Sequence, residues 1–161
     1  PRNDYIDEAV MIDSRNFTHT ITEGYGTQHT SGSMDDPLPG CALNAGKSVW
    51  YALEVETFNY DVTISTAGSD YDTVLSVWKP GIPGAWSSVA CSDDFNTQQS
   101  QVTFTAYPDN VYYVMVSGYA FLGYEPSSGN LILNANLTPR CIAQLVDCAA
   151  QGIFVPNLTS Y

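Results

Sequence analysis

The residues of this chain best suited to chemistry are carboxylates placed on turns. Asp70 and Asp72 sit in the turn Gly68-Ser69-Asp70-Tyr71-Asp72, and Asp93 and Asp94 follow Cys91 after a second short apolar run. Asp35-Asp36 makes a third acidic pair, and Asn3, Asp4, Asp7 and Glu8 crowd the opening residues. Such groups suit two jobs: their oxygens accept hydrogen bonds from turn N–H groups, or they ligate a hard cation such as Ca²⁺, which takes carboxylate and carbonyl oxygens. Nucleophilic catalysis has less to draw on. It needs a base beside the nucleophile and a third group to orient that base. The two histidines, His19 and His29, fall on a strand-like run and in a Gly-rich loop, with no nucleophile motif beside either. The acidic loops leave open a paired-carboxylate hydrolase, whose two carboxyls stand ~5–10 Å apart.

Composition narrows the partners. Five Lys and Arg against seventeen Asp and Glu give a net charge of −12 in 161 residues. A chain so acidic is repelled by nucleic acid and by anionic membranes, and no apolar run reaches the ~18–20 residues that span a bilayer. Charged residues are only 14% of the chain, and the remainder is rich in Thr, Ser, Tyr, Asn and Gly, a mix that suits an exported β-protein. The chain opens at Pro1 without a leader-like segment, which reads as a processed product or a piece of something longer.

The elements that must position the carboxylates are strands. Val49, Tyr51, Leu53 and Val55 alternate with Ser48, Ala52, Glu54 and Glu56, with Trp50 the exception on the outer face. Gln101–Ala106 alternates strictly, and Val111–Val116 is apolar on both faces, which places it at the centre of a sheet. Further strands are expected over Phe17–Glu23, Tyr60–Ser65, Thr73–Trp78, Ser88–Cys91 and Asn130–Ala135. Short strands at this regular spacing, with turns such as Tyr107-Pro-Asp-Asn110 between them, signal a sandwich or barrel. Residues 24–46, with five Gly and two Pro, form a long loop.

After residue 135 the character changes, so the chain divides into a sandwich over 1–135 and an extension over 136–161. In the extension a short helix is expected over Ile142–Ala150, and the apolar Ile153-Phe154-Val155 must either pack back on its own sandwich or pair with a neighbour's sheet edge. Four cysteines and no CxxC suggest disulfides and an oxidising compartment. Of three possible pairings, Cys41–Cys91 and Cys141–Cys148 are expected, the first pair flanking the sandwich and the second lying close together in the extension. Sequons stand at Asn16, Asn136 and Asn157 as candidate glycosylation sites.

The order Asn3-Asp4, Cys41, SVWYALEV (48–55), GSDYDTVLSVW (68–78), VACSDD (89–94), QVTFTA (101–106) and VYYVMVSGY (111–119) resembles the bacterial pre-peptidase C-terminal domain family over about residues 3–135. The resemblance implies an all-β, jelly-roll-like antiparallel sandwich of about eight strands on a secreted protein. It is similar to the collagen-binding domains of clostridial collagenases, and implies Ca²⁺ held by Asn3 and Asp4 of the N-terminal arm with Asp93 and Asp94. It speaks against catalysis. The long 24–46 loop and the extension depart from the family pattern.

The reading that follows is a non-catalytic extracellular or cell-surface module with a structural or adhesive role in a surface or fibre assembly. Its partners would be other protein subunits or an extracellular polymer, with self-assembly through the C-terminal tail. The alternative is a Ca²⁺-assisted accessory domain of a secreted hydrolase that binds collagen or polysaccharide. Exposed aromatics supply contact area with a polar tip, and Trp86, Tyr119 and Tyr124 are the candidates for binding, Trp86 being expected as the most exposed.

Overall fold

A computed structural model describes residues 1–22, 36–81 and 85–140. Alternating β-branched and aromatic residues bury one face of an extended strand and solvate the other, and this pattern produces nine strands among the described residues. They are β1 (Val10–Met11), β2 (Asn16–Ile21), β3 (Ala45–Glu54), β4 (Asn59–Ser65), β5 (Thr73–Pro80), β6 (Trp86–Ser92), β7 (Gln101–Ala106), β8 (Val111–Tyr119) and β9 (Leu131–Arg140). A single 3₁₀ turn, Ile6–Glu8, precedes β1, so the opening segment is a short turn followed by an extended arm.

One sheet has the order β1-β3-β8-β5-β6 and the other β2-β9-β4-β7. Within them β2 pairs with β9, β3 with β8, β4 with β7 and β5 with β6, all antiparallel. The chain is thus a nested hairpin rolled into two four-stranded sheets, the arrangement of a jelly roll, with β1 added in parallel on the free side of β3. β8 lies between β3 and β5, as its two apolar faces require. β9 runs past residue 135 to Arg140, because Leu137 keeps the inward alternation and pairs with Val62.

Val49, Tyr51 and Leu53 of β3, Leu75 and Val77 of β5, and Val114 and Val116 of β8 face Val62, Ile64, Leu131, Leu133 and Ala135 across the core. Each fully buried aliphatic side chain contributes about 1.5–3 kcal/mol of burial. His19 belongs to this interior margin, its Nδ1 2.9 Å from the Tyr51 hydroxyl, and burial lowers its pKa. A second cluster of Trp50, Trp78 and Met115 lies on the outer face of the β3-β8-β5-β6 sheet. Trp50 does point outward, yet it is only 1% exposed.

A disulfide joins Cys41 to Cys91 with a Cα separation of 5.8 Å. Closing a loop of this length is worth about 4 kcal/mol in the chain-entropy model. Cys141, Cys148, Asn157, His29, the helix over 142–150 and the apolar segment 153–155 lie outside the described residues.

Candidate functional site: an acidic and apolar end of the sandwich

The start of β5 and the end of β6 are register neighbours, Leu75 opposite Ser92. The turns flanking them therefore meet at one end of the sandwich. There the carboxylates of Asp72, Asp93 and Asp94 approach within 4.8 Å of one another. Asp72 Oδ1 and Asp93 Oδ1 are buried and have no hydrogen-bond partner. Burial first, then the neighbouring charges of Asp94 and Asp93, push the Asp72 carboxyl up to about 6. Asp93 is raised as well, by burial and then by Asp94.

Three hydroxyls hold these two turns in place. Thr66 Oγ1 and Thr73 Oγ1 are 2.6 Å apart, and the Ser100 N–H donates to Thr66 Oγ1 at 2.8 Å. Ser100 Oγ lies within hydrogen-bond reach of the carbonyls of both Thr73 and Asp93, its single proton shared between them. All three residues are fully buried, so this small network fixes the residue after Asp72 and the backbone of Asp93 together. Asp70 does a different job. Its two carboxylate oxygens accept from the backbone N–H and side-chain amide of Asn130, at 2.7 and 2.8 Å, tying its turn to the segment before β9.

Asn3, expected beside Asp4, Asp93 and Asp94, lies elsewhere. Asn3 is buried on the free side of β3, where its Nδ2 donates to the Trp50 carbonyl at 3.0 Å and its own carbonyl accepts from Trp50 N–H at 2.8 Å. β8 and β5 stand between that position and β6. Asn3's polar groups are used to complete the edge of β3, and the carboxylate that joins Asp93 and Asp94 is that of Asp72.

Apolar side chains rise at this same end. Ala120 N–H bonds the Asn44 carbonyl at 2.9 Å, and Tyr119 N–H bonds the Asp72 carbonyl at 3.0 Å, so the loops after β8 and before β3 lie beside the acidic turns. Leu43 (80% exposed), Phe121 (68%), Leu122 (79%) and Tyr124 (73%) project from them, with the Phe121 and Tyr124 rings 6.1 Å apart. The loop is closed at its base by Ser127 N–H bonding the Tyr119 carbonyl at 2.8 Å. Gly118 makes that closure possible, because a Cβ there would sit 1.7 Å from the Ser127 carbonyl oxygen.

Of the aromatic candidates, Tyr124 is exposed at this end and Tyr119 is half-buried beneath it. Trp86 belongs to neither. It starts β6 at the opposite end, half-buried, stacked on Trp50 at 6.1 Å and edge-on to Tyr113 at 5.6 Å. A proline- and glycine-rich turn suggested exposure there, but the indole has a ready apolar partner on the sheet. Leu43, Phe121 and Leu122 escaped the sequence reading. Their signal was a Phe-Leu pair between glycines and prolines, where no strand could bury it.

Compared with known proteins, residues 47–118 match the model of the bacterial pre-peptidase C-terminal domain, the family that the sequence motifs resemble. No curated protein matches the chain. Among solved structures, the pre-peptidase C-terminal domain of collagenase from Bacillus anthracis aligns with 80% of this chain and 91% of its own, at 11% identity and a TM-score of 0.42. The globular domain of zebrafish complement 1qA protein aligns with 80% of this chain and 100% of its own, at 14% identity and a TM-score of 0.38.

Proposed function

We propose that this chain is a non-catalytic extracellular module with a structural or adhesive role in a surface or fibre assembly, making contact through the end formed by Leu43, Phe121, Leu122 and Tyr124. The observation that carries the reading is that four large apolar side chains from two loops are left exposed together, where folding alone would bury or avoid them. Contact residues on a rigid sandwich fit adhesion: the two aromatic rings supply area and already lie against each other. The disulfide suits an oxidising, extracellular setting. Among the described residues no helix is long and apolar enough to cross a membrane. The partners fitting this end are other protein subunits or an extracellular polymer rather than nucleic acid, because its charge is acidic.

The second reading, a Ca²⁺-assisted binding domain, is favoured by the acidic trio. Two buried carboxylate oxygens without donors, beside a third carboxylate, make a donor set of the hard-oxygen kind that Ca²⁺ takes. Asp72, Asp93 and Asp94 would hold the ion, and its charge would relieve their mutual repulsion and stiffen the loops that present the apolar residues. Light scattering of the full chain against concentration, with Ca²⁺ or chelator, tests both readings. Replacing Leu43, Phe121, Leu122 and Tyr124 by Ser is expected to abolish association or polymer binding while the thermal midpoint stays put. Retained association in that variant would defeat the proposal.

A further inference from the structure

Residues 36–44 do not join either sheet; they cross the outer face of the sheet that ends in β6. Asp36 accepts a hydrogen bond from Ser48 Oγ on β3. Pro37, Leu38 and Pro39 then line a narrow gap with Met115 and Ser117 of β8. Cys41 reaches β6, bonded to Cys91, with its N–H donating to Cys91 Sγ at 3.3 Å. The chain then returns to start β3 at Ala45. It therefore spans the width from β3 to β6, with β8 and β5 between them in the sheet. Pro39 and Ala42 are its buried contacts, whereas Cys41 itself is exposed.

Beside this crossing lies the outer cluster of Trp50, Trp78 and Met115, against which Ile6 and Ala9 of the N-terminal arm, Trp86 and Tyr113 pack. Asp36 and Pro37 also share a groove of about 270 Å³ with Trp50, Trp86 and Tyr5–Asp7 of the N-terminal arm. The outer face of a sheet is normally solvated and polar. Here it is aromatic, and Trp50 is almost wholly covered with its indole N–H lacking an acceptor, an arrangement a cover imposes rather than one a free face would adopt.

We propose that residues 36–44 form a strap pinned by the Cys41–Cys91 disulfide, and that a dithiol reductant releases it and uncovers a tryptophan-rich face. The exchange is a two-electron step. A thiolate of the dithiol attacks the exposed sulfur, the Cys41–Cys91 bond breaks, and the second thiol closes the reductant's own disulfide, leaving Cys41 and Cys91 as protonated thiols. No ladder of strand hydrogen bonds ties the described strap to the sheet, and the disulfide is its covalent hold at β6, whereas the sheet beneath keeps its pairing to β8 and β5. The device gates the outer face and does not depend on the adhesion proposal, although the strap also carries Leu43 of the apolar end.

The test uses the full chain with Cys141→Ser and Cys148→Ser, so that reduction reports on one pair. On adding dithiothreitol, tryptophan emission is expected to shift to the red and iodide quenching to increase, while far-UV circular dichroism retains the β signal. The additional Cys41→Ser/Cys91→Ser variant should show the reduced-state emission without dithiothreitol and no change with it. Emission and quenching that stay at their oxidised values on reduction would overturn the strap, because the N-terminal arm alone would then cover the tryptophans. Loss of the β signal on reduction would overturn it equally, since the bond would be a staple for the whole fold.

Discussion

The side-chain amide of Asn136 donates to Oδ1 of Asn16 at 2.6 Å. These two residues stand 120 positions apart in sequence and exactly opposite each other in the β2–β9 register. Two of the three sequons thus share one spot on the outer face of the second sheet. That face is a lattice of hydroxyl and amide groups, where Thr18 Oγ1 bonds Asn134 Oδ1 at 3.1 Å and Arg140 pairs with Asp61 at 3.0 Å.

The two sequons are not equivalent. Asn16 opens an edge strand, whereas Asn136 lies in β9 between β2 and β4, also accepts from Thr138 Oγ1 and is followed closely by Pro139. In a host that attaches N-linked glycans, Asn16 is expected to carry the larger occupancy. Site-resolved mass spectrometry of the secreted chain checks this, and equal or reversed occupancy would contradict it.

The acidic trio makes a prediction about pH. Asp72 and Asp93 have folded-state pKa values above the ordinary carboxylate value, Asp72 at about 6. The folded protein therefore holds protons that the unfolded chain has released over roughly pH 4–6, and stability falls as pH rises through that window. Asp72→Asn is expected to raise the thermal midpoint at pH 7 and to flatten its dependence between pH 4 and 7. Millimolar Ca²⁺ should raise the midpoint of the parent and leave Asp72→Asn/Asp93→Asn unchanged. Differential scanning calorimetry across pH, with and without Ca²⁺, reads both, and a parent midpoint that climbs from pH 4 to 7 without cation would refute the first.

The buried hydroxyls behind those turns have a separate signature. Thr73→Val keeps the shape and removes the oxygen that lies against Thr66 Oγ1 and accepts from Ser100 N–H at 3.2 Å. It is expected to cost about 1–3 kcal/mol, the usual penalty for leaving buried polar groups unpaired, and to weaken any Ca²⁺ response with it. Urea denaturation measures the first effect, and an unchanged midpoint would mean the network does not hold the turns.

Strand periodicity in β3, β7 and β8 made the fold readable, since each side chain there has a single sensible face. Boundaries were read short where polar residues stayed in the ladder. Asn136 and Thr138 look like loop residues in sequence, but they alternate with Ala135 and Leu137, which point into the core. The acids at 72, 93 and 94 were legible as turn residues with a shared chemistry. Their convergence depends on the β5–β6 register, and the placement of Asn3 elsewhere on its backbone and side-chain bonds to Trp50, neither of which is written in local spacing. The apolar end was harder still, because exposure of Phe121 and Leu122 is a property of how loops 41–44 and 120–124 meet.

Hydroxyl-radical footprinting of the chain in its assembled or polymer-bound form, against the isolated chain, tests the proposed contact most directly. The account predicts that Phe121, Leu122 and Tyr124 lose reactivity on assembly while residues on the outer face of the second sheet keep theirs. Unchanged reactivity at those three residues, with protection appearing elsewhere, would contradict it.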